Sequence, residues 1–178
     1  DQNSLWVVRY SDEPRIERLY HFDLPENLGR PRQVEAMDVD GDGDMDILVP
    51  FQVKPVQVNV LLNDGRGNLT PGRPLAFPVQ KGIRGIAAGV DKDGARYVLA
   101  SGYYALALYR LSPEGYEMRS LKVKHMESMA PVVLKDVDGD GWLDAVVARA
   151  LKEEGGLVFY GPLWEHWTAL EQQGWTIE

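Results

Sequence analysis

The chain has 178 residues, of which 44% are hydrophobic and 26% are charged, a balance that suits one folded domain and excludes a disordered or fibrous chain. Its 27 acidic and 19 basic residues give a formal charge of −8, which argues against binding to nucleic acid or to an anionic membrane. The chain has no cysteine, which excludes disulfides and thiolate metal sites, and no apolar run approaches the roughly 18 residues of a membrane span.

The chain opens with two β-type segments, residues 5–10 and 15–22, separated by a turn at 11–14. We interpret them as the outer two strands of a four-stranded sheet whose inner hairpin is missing. The first residue is an aspartate rather than a methionine, so we interpret the sequence as a processed mature form, an excised piece or the ordered part of something longer, and we favour processing after export.

Three internal repeats follow, at residues 34–48, 85–99 and 132–146, and they align without gaps. Each contains a short apolar run, a turn rich in aspartate and glycine, and a second apolar run. A period of about 40 to 50 residues with β-type segments is typical of propeller blades, in which each repeat forms one small sheet. We predict that each repeat is the inner hairpin of a four-stranded blade.

The outer strands of these blades are predicted after each hairpin. They are residues 56–62 and 75–79 in the first repeat and residues 105–111 and 116–123 in the second. In the third repeat, residues 156–160 are the predicted third strand and residues 175–178 are a candidate fourth strand.

A helix is predicted at residues 162–173, because Leu163, Trp164, Trp167 and Leu170 share one helical face and Gly174 stands where a C-terminal cap is expected.

The predicted fold is therefore all-β, a single domain or part-propeller spanning residues 1–178, with about three and a half four-stranded blades and one short C-terminal α-helix. The units are an outer half-blade (1–30), a blade with an aspartate-rich loop (31–80), a blade with a degenerate loop (81–128), and a blade with an aspartate-rich loop and the helix (129–178). A propeller closes with about four to eight blades, so we expect a second copy or another polypeptide to complete this one.

Two nine-residue segments, DVDGDGDMD at 38–46 and DVDGDGWLD at 136–144, share the pattern D-x-D-x-D-G-x-x-D. Calcium takes about six to eight oxygen ligands, which a curled loop supplies with carboxylates at positions 1, 3, 5 and 9 and a backbone carbonyl at position 7. Two calcium sites are predicted. Their ligands are the side chains of Asp38, Asp40, Asp42 and Asp46 with the carbonyl of Asp44, and the side chains of Asp136, Asp138, Asp140 and Asp144 with the carbonyl of Trp142. The carboxylate of Asp44 is expected to face solvent.

Neither an EF-hand nor a magnesium site fits these loops well. An EF-hand needs a glutamate at position 12, where this chain has Val49 and Val147, and magnesium prefers fewer protein ligands in strict octahedral geometry. Hairpin turns without metal remain the alternative, but one aspartate and one glycine suffice for a turn, and four crowded carboxylates repel one another.

The middle repeat lacks the full pattern. Gly89 replaces the first aspartate and Tyr97 replaces the last, so that only Asp91 and Asp93 remain. We predict no calcium in this turn and only a small surface contribution from Asp91.

These paired loops between apolar strands resemble the FG-GAP/VCBS β-propeller repeats, the calcium-loop blades of integrin alpha-subunit heads and of many secreted bacterial proteins. The resemblance covers nearly all of residues 1–161 and does not extend to the predicted helix. It implies calcium at the rim of the blades, bound by the same aspartates of the two loops, and a secreted, extracellular or periplasmic setting. It also implies protein or glycan binding, as in cell adhesion, more often than catalysis.

No catalytic constellation is evident. His21, His125 and His166 show no ligand or triad spacing, and any acid–base pair would need residues that are distant in sequence, such as Glu127, Glu153 or Glu165. Trp164, Trp167 and Trp175 form either a sugar-stacking platform or, as we prefer, an anchor for the helix.

The sequence thus leaves two functional hypotheses. The first is a calcium-stabilised extracellular module that binds a protein, a glycan or further copies of itself. The alternative is a polysaccharide lyase or hydrolase in which calcium is structural.

Overall fold

A computed structural model of the chain describes residues 4–9, 15–21, 33–51, 54–79, 81–123, 129–149, 156–174 and 176–177. Its elements, in chain order, are β1 Ser4–Arg9, β2 Arg15–His21, β3 Glu35–Met37, β4 Asp46–Pro50, β5 Gln57–Asn63, β6 Leu69–Pro71, β7 Leu75–Ala76, β8 Ile83–Val90, β9 Arg96–Gly102, β10 Ala105–Ser112, β11 Gly115–Val123, β12 Met129–Lys135, β13 Asp144–Arg149, β14 Gly156–Phe159, α1 Leu163–Gln172 and β15 Thr176–Ile177. The predictions of a mostly β chain and of one short C-terminal helix are confirmed.

Apart from β15, the strands form antiparallel sheets made of strands that are close in sequence. We call them the N-terminal hairpin (β1–β2), the first sheet (β3 to β7), the middle sheet (β8 to β11 with β15) and the third sheet (β12 to β14). In the first sheet, β6 and β7 both pair with β5 and together form its outer edge. The outer edge begins at Leu69, earlier than the predicted residue 75, and Pro74, which has no N–H to donate, lies in the break between the two pieces.

The end of the chain departs from the sequence-based prediction. Residues 175–178 are a candidate for a fourth strand of the third sheet, but β15 pairs in parallel with Lys122 and Val123 of β11, at the edge of the middle sheet. The helix brings the chain back to this edge, where Arg119 Nε donates to Thr168 Oγ1 over 3.3 Å and Ser120 N donates to Glu171 Oε1 over 3.0 Å. In the part of the chain that the structure describes, the third sheet has three strands and no sheet is closed into a ring.

Three apolar clusters separate these layers. In the first cluster, Leu5 of the N-terminal hairpin packs against Val49, Phe51 and Leu61 of the first sheet and its flank. The second cluster lies between the first and middle sheets, and the third lies between the middle sheet, the third sheet and the helix. The second cluster includes Leu48, Val58, Val60, Ile86, Val98 and Tyr109, and the third includes Leu99, Leu106, Leu108, Val132, Val147 and Trp167.

The middle sheet is buried on both faces. Because side chains alternate along a strand, Val98 of β9 joins the second cluster while its neighbour Leu99 joins the third. This double burial explains why β9 and β10 are apolar at nearly every position instead of alternating with polar residues.

The first strands of the three larger sheets lie close together, since β8 contacts both β3 and β12. At Gly85 of β8, an added Cβ would lie 3.2 Å from Pro131 Cα and 3.4 Å from Val132 N. Glycine therefore permits this backbone approach. The side chain of Gln33 also bonds to β8, accepting from Ile86 N over 3.1 Å and donating to Ile86 O over 2.7 Å.

Helix α1 is anchored by its tryptophans. Trp167 is fully buried and Trp164 nearly so, and the Trp164 ring lies between the guanidinium groups of Arg110 and Arg119 at 4.6 and 4.8 Å. Gly174, at a φ of 65°, ends the helix as the sequence indicated. Among the described residues, no helix is long and apolar enough to cross a membrane. Trp175 lies outside them.

Replacing the buried anchor tests this packing. Trp167→Ala is expected to lower the free energy of unfolding by about 3–5 kcal/mol, because it empties a fully buried volume between two sheets and the helix. Chemical denaturation measures the change. The control is Val90→Ala, which shortens a side chain that is 54% exposed and should change the stability by less than about 0.5 kcal/mol. Equal losses in the two variants would contradict the proposed anchoring.

Candidate metal centres

Two aspartate loops occupy the same place in their sheets. The first aspartate loop (38–46) joins β3 to β4, and the second aspartate loop (136–144) joins β12 to β13. In each case the loop connects the first two strands of a sheet, as the repeat predicted. Their sequences differ at positions 7 and 8, yet their internal hydrogen bonds are nearly the same, so the shared aspartates and glycines determine the loop conformation.

The aspartate at position 1 organises each loop. Asp38 Oδ1 accepts from Gly41 N at 2.6 Å and Oδ2 from Gly43 N at 3.3 Å, while Asp136 accepts in the same way from Gly139 at 2.6 Å and Gly141 at 2.9 Å. Backbone N–H donors favour the ionised carboxylate, and they hold the pKa of Asp136 below its usual range. The loop backbone thus keeps this group charged.

The aspartates at positions 3 and 5 each bond to the backbone two residues on. At position 3 of the first loop, for example, Asp40 Oδ1 accepts from Asp42 N at 3.2 Å. At position 5 of the second loop, Asp140 Oδ1 accepts from Trp142 N at 2.8 Å. The curl needs a positive φ at two glycines in each loop. The sequence pattern indicates this role for position 6, and the structure adds Gly41 and Gly139 at position 4, with φ values of 91° and 85°.

The aspartate at position 9 has a role that the sequence pattern does not reveal. Asp46 is fully buried, and its two oxygens accept from Val39 N and Asn63 N, each at 2.8 Å. Asn63 ends β5, so this carboxylate ties the loop to the third strand of its own sheet. Burial raises the pKa of Asp46, although these two backbone donors act in the opposite direction.

Asp144 repeats this arrangement in the second loop. It is also fully buried and accepts from Val137 N and Gly161 N, each at 2.8 Å, and Gly161 follows β14. The aspartate at position 9 thus ties each loop to the third strand of its sheet or to the residues directly after it, through hydrogen bonds that involve no metal.

The structure brings most of the predicted ligands together. Carboxylate oxygens of Asp38, Asp40 and Asp42 lie within 4.8 Å of one another in the first loop, as do those of Asp136, Asp138 and Asp144 in the second. Asp46 and Asp140 belong to neither group of three. Carboxylates this close repel one another, and oxygen donors in this number and type suit a hard divalent cation such as calcium.

Position 7 differs between the loops. The carboxylate of Asp44 does not simply face solvent as predicted: the residue is half-buried, and a Cβ added at Gly65 would lie 2.5 Å from Asp44 Oδ2. Trp142, at the same position of the second loop, has the Lys92 ammonium 4.2 Å from its ring centre.

The middle turn (91–95) is built on one carboxylate. Asp91 Oδ1 accepts from Asp93 N and Ala95 N, each at 3.0 Å, and the residue is buried. The expectation that Asp91 makes only a small surface contribution is therefore wrong. A Cβ at Gly89 would lie 3.0 Å from Leu143 Cδ1, so the second aspartate loop packs tightly where the other repeats place their first aspartate. The absence of calcium from this turn stays a prediction.

The histidines and distant acids show no shared site among the described residues. His21 lies in β2, and His166 Nδ1 lies 2.8 Å from the carbonyl oxygen of Tyr160, so this nitrogen carries a proton. Glu165 is exposed on α1. His125, Glu127 and Glu153 lie outside the described residues.

No protein-family model matches this chain, and no curated protein matches its sequence significantly.

The buried aspartate of the first loop provides a test of its structural role. Asp46→Ala leaves the part-buried backbone N–H groups of Val39 and Asn63 without their acceptor, and an unsatisfied donor costs about 1–3 kcal/mol when water does not reach it. The variant should therefore lose at least about 2 kcal/mol of stability to urea, even in a chelator. Asp93→Ala, which changes an exposed aspartate, should lose less than about 0.5 kcal/mol. A loss for Asp46→Ala that disappears in chelator would show that the residue acts only as a metal ligand.

Proposed function

We propose that the chain is a calcium-stabilised, propeller-like extracellular module that works by association with protein partners, of which further copies of itself are the first candidate. The observation that carries the calcium part is the pair of carboxylate groups in the two aspartate loops. Each group has carboxylate oxygens of three aspartates within 4.8 Å of one another, from positions 1, 3 and 5 in the first loop and from positions 1, 3 and 9 in the second.

The residues present fit calcium. Asp38, Asp40 and Asp42 would hold one ion and Asp136, Asp138 and Asp144 the other, completed by backbone carbonyls and water. The bound ion would supply positive charge, since two calcium ions change the formal charge from −8 to −4 (−8 + 2 × 2). The chain's own backbone N–H groups hold the carboxylates in place before the ion arrives. Exposed loops of this kind suit an extracellular setting, where calcium is abundant.

The stacking of the sheets supports a propeller-like arrangement. Each cluster joins one sheet to the next in chain order, and β3, β8 and β12, the first strands of their sheets, lie side by side. Strands that follow along the chain lie progressively farther from this contact, as in blades around an axis.

The free face of the third sheet supports association. Val133, Val146 and Val158 pair across the three strands in one row, on the face opposite to Val132 and Val147. Val133 and Val158 are 48% and 45% exposed. At the other end of the stack, Trp6 is 51% exposed and follows Leu5, which points into the first cluster. Each end therefore presents apolar side chains that suit a further sheet.

Calcium dependence is the first test. Binding to the native state alone adds about 2.7 kcal/mol of stability per site when calcium exceeds its Kd a hundredfold. Thermal melts in calcium and in chelator should differ by several degrees, and metal analysis should find two ions per chain. Superimposed melts, or protein without calcium after dialysis against it, would contradict this part of the proposal.

Variants locate the calcium effect. Asp40→Ala and Asp138→Ala should each remove part of the difference between the calcium and chelator melts. Asp91→Ala should lower both melts equally, because its carboxylate closes the middle turn through two hydrogen bonds. A calcium-dependent loss in Asp91→Ala would place metal in the middle repeat.

Association is tested by light scattering on the full chain across micromolar concentrations. We expect assemblies larger than a monomer, and Val158→Lys should disrupt them, because it puts a charge into the apolar row of valines. Val90→Lys is the matched control, since Val90 is 54% exposed but lies beside the middle turn. A compact monomer at every concentration, or equal effects of the two variants, would contradict association through the third sheet.

A further inference from the structure

The middle repeat, for which no calcium is predicted, contacts both aspartate loops through basic side chains. Arg96 opens β9, directly after the middle turn, and its Nη1 lies 3.4 Å from Asp38 Oδ1 of the first loop. Lys92, within the middle turn, donates from Nζ to the carbonyl oxygen of Asp140 at 3.0 Å and from its backbone N to that of Gly141 at 3.1 Å. The middle turn and the first residue of β9 thus contact the two predicted calcium sites.

The two contacts differ in what they touch. Arg96 pairs with a carboxylate, and this carboxylate belongs to the group of three that would hold calcium. Lys92 reaches backbone carbonyls and the ring of Trp142. Among the described residues, no ion pair joins a basic side chain to a carboxylate of the second loop.

The position of Arg96 is well defined by its surroundings. Its side chain is 21% exposed, and a Cβ added at Gly41 would lie 2.6 Å from Nη1, so the guanidinium lies directly against the backbone of the first loop. Asp38 Oδ1 also accepts from Gly41 N at 2.6 Å. The guanidinium, the loop backbone and an incoming cation would all use the same carboxylate.

We propose that Arg96 acts as a tethered counter-ion of the first aspartate loop. Calcium must either displace the guanidinium from Asp38 or bind Asp38 together with it. Among the described residues, the second loop has no basic side chain paired with a carboxylate in this way. This inference rests on the calcium binding proposed above. The guanidinium relieves carboxylate repulsion in the calcium-free loop and opposes the entering divalent cation by charge repulsion. Arg96 therefore stabilises the metal-free first loop and lowers its affinity for calcium.

A consequence concerns the packing of the sheets. Arg96 belongs to the middle sheet and Asp38 to the first loop, so their ion pair joins two sheets. Calcium that displaces Arg96 exchanges this link for metal coordination within the first loop. Occupancy of the first site is thereby coupled to the contact between the first and middle sheets.

The test measures each loop separately by calcium titration calorimetry on the full chain. In the Asp138→Asn background the second loop is disabled, so the titration measures the Kd of the first loop. In the Asp40→Asn background the first loop is disabled, so the titration measures the Kd of the second loop. Adding Arg96→Gln should lower the Kd of the first loop roughly tenfold, the size expected when one positive charge next to the divalent ion is removed near the protein surface. In the Asp40→Asn background, Arg96→Gln should leave the Kd of the second loop unchanged.

A second measurement separates this role from simple support of the fold. In chelator, Arg96→Gln should lower the melting temperature of the chain, although the same substitution strengthens calcium binding. Lys92→Gln is the matched control, since it removes a charge from the same turn and should not change the Kd of the first loop. An unchanged Kd in Arg96→Gln, or an equal change in both loops, overturns the inference while calcium binding stands. No binding in either background overturns the calcium proposal itself.

Discussion

Burial of both faces of the middle sheet is the constraint on which the rest of the fold depends. A sheet with one apolar face needs one neighbour, but β9 and β10 direct large apolar side chains to both sides. Leu99 and Leu108 therefore require the third sheet and the helix, and Val98 and Tyr109 require the first sheet. The burial of these side chains supplies most of the free energy that holds the layers together.

In the aspartate loops, the side chains that we propose as calcium ligands also hold the backbone of the loop in place. Asp38, Asp46 and their counterparts satisfy backbone N–H groups of loops that would otherwise have no acceptors. The same hydrogen bonds bring carboxylates close enough to suit a cation. The middle turn forms without the aspartates at positions 1 and 9, because the carboxylate and the backbone of Asp91 close it through hydrogen bonds to Asp93, Gly94 and Ala95.

The middle repeat has a different place in the molecule from its two neighbours. It contacts the first loop through Arg96 at the start of β9 and the second loop through Lys92 of the middle turn. Loss of the aspartates at positions 1 and 9 is matched by closer packing, since Leu143 covers Gly89 and Tyr97 is buried where a carboxylate stands in the other repeats. Burial raises the pKa of Tyr97 to about 12, so this group stays neutral near neutral pH.

The sequence by itself determined the local features of this protein, because they depend on short-range chemistry. Alternating and continuous apolar runs indicated the strands, the D-x-D-x-D-G-x-x-D pattern identified both loops, and Gly174 marked the end of the helix. Tertiary structure alone decided which elements meet: β15 joins the middle sheet, Asp46 bonds to Asn63, and Arg96 reaches Asp38, 58 positions away. Such contacts depend on how whole sheets pack, and a linear pattern carries no information on which distant side chain arrives at a given carboxylate.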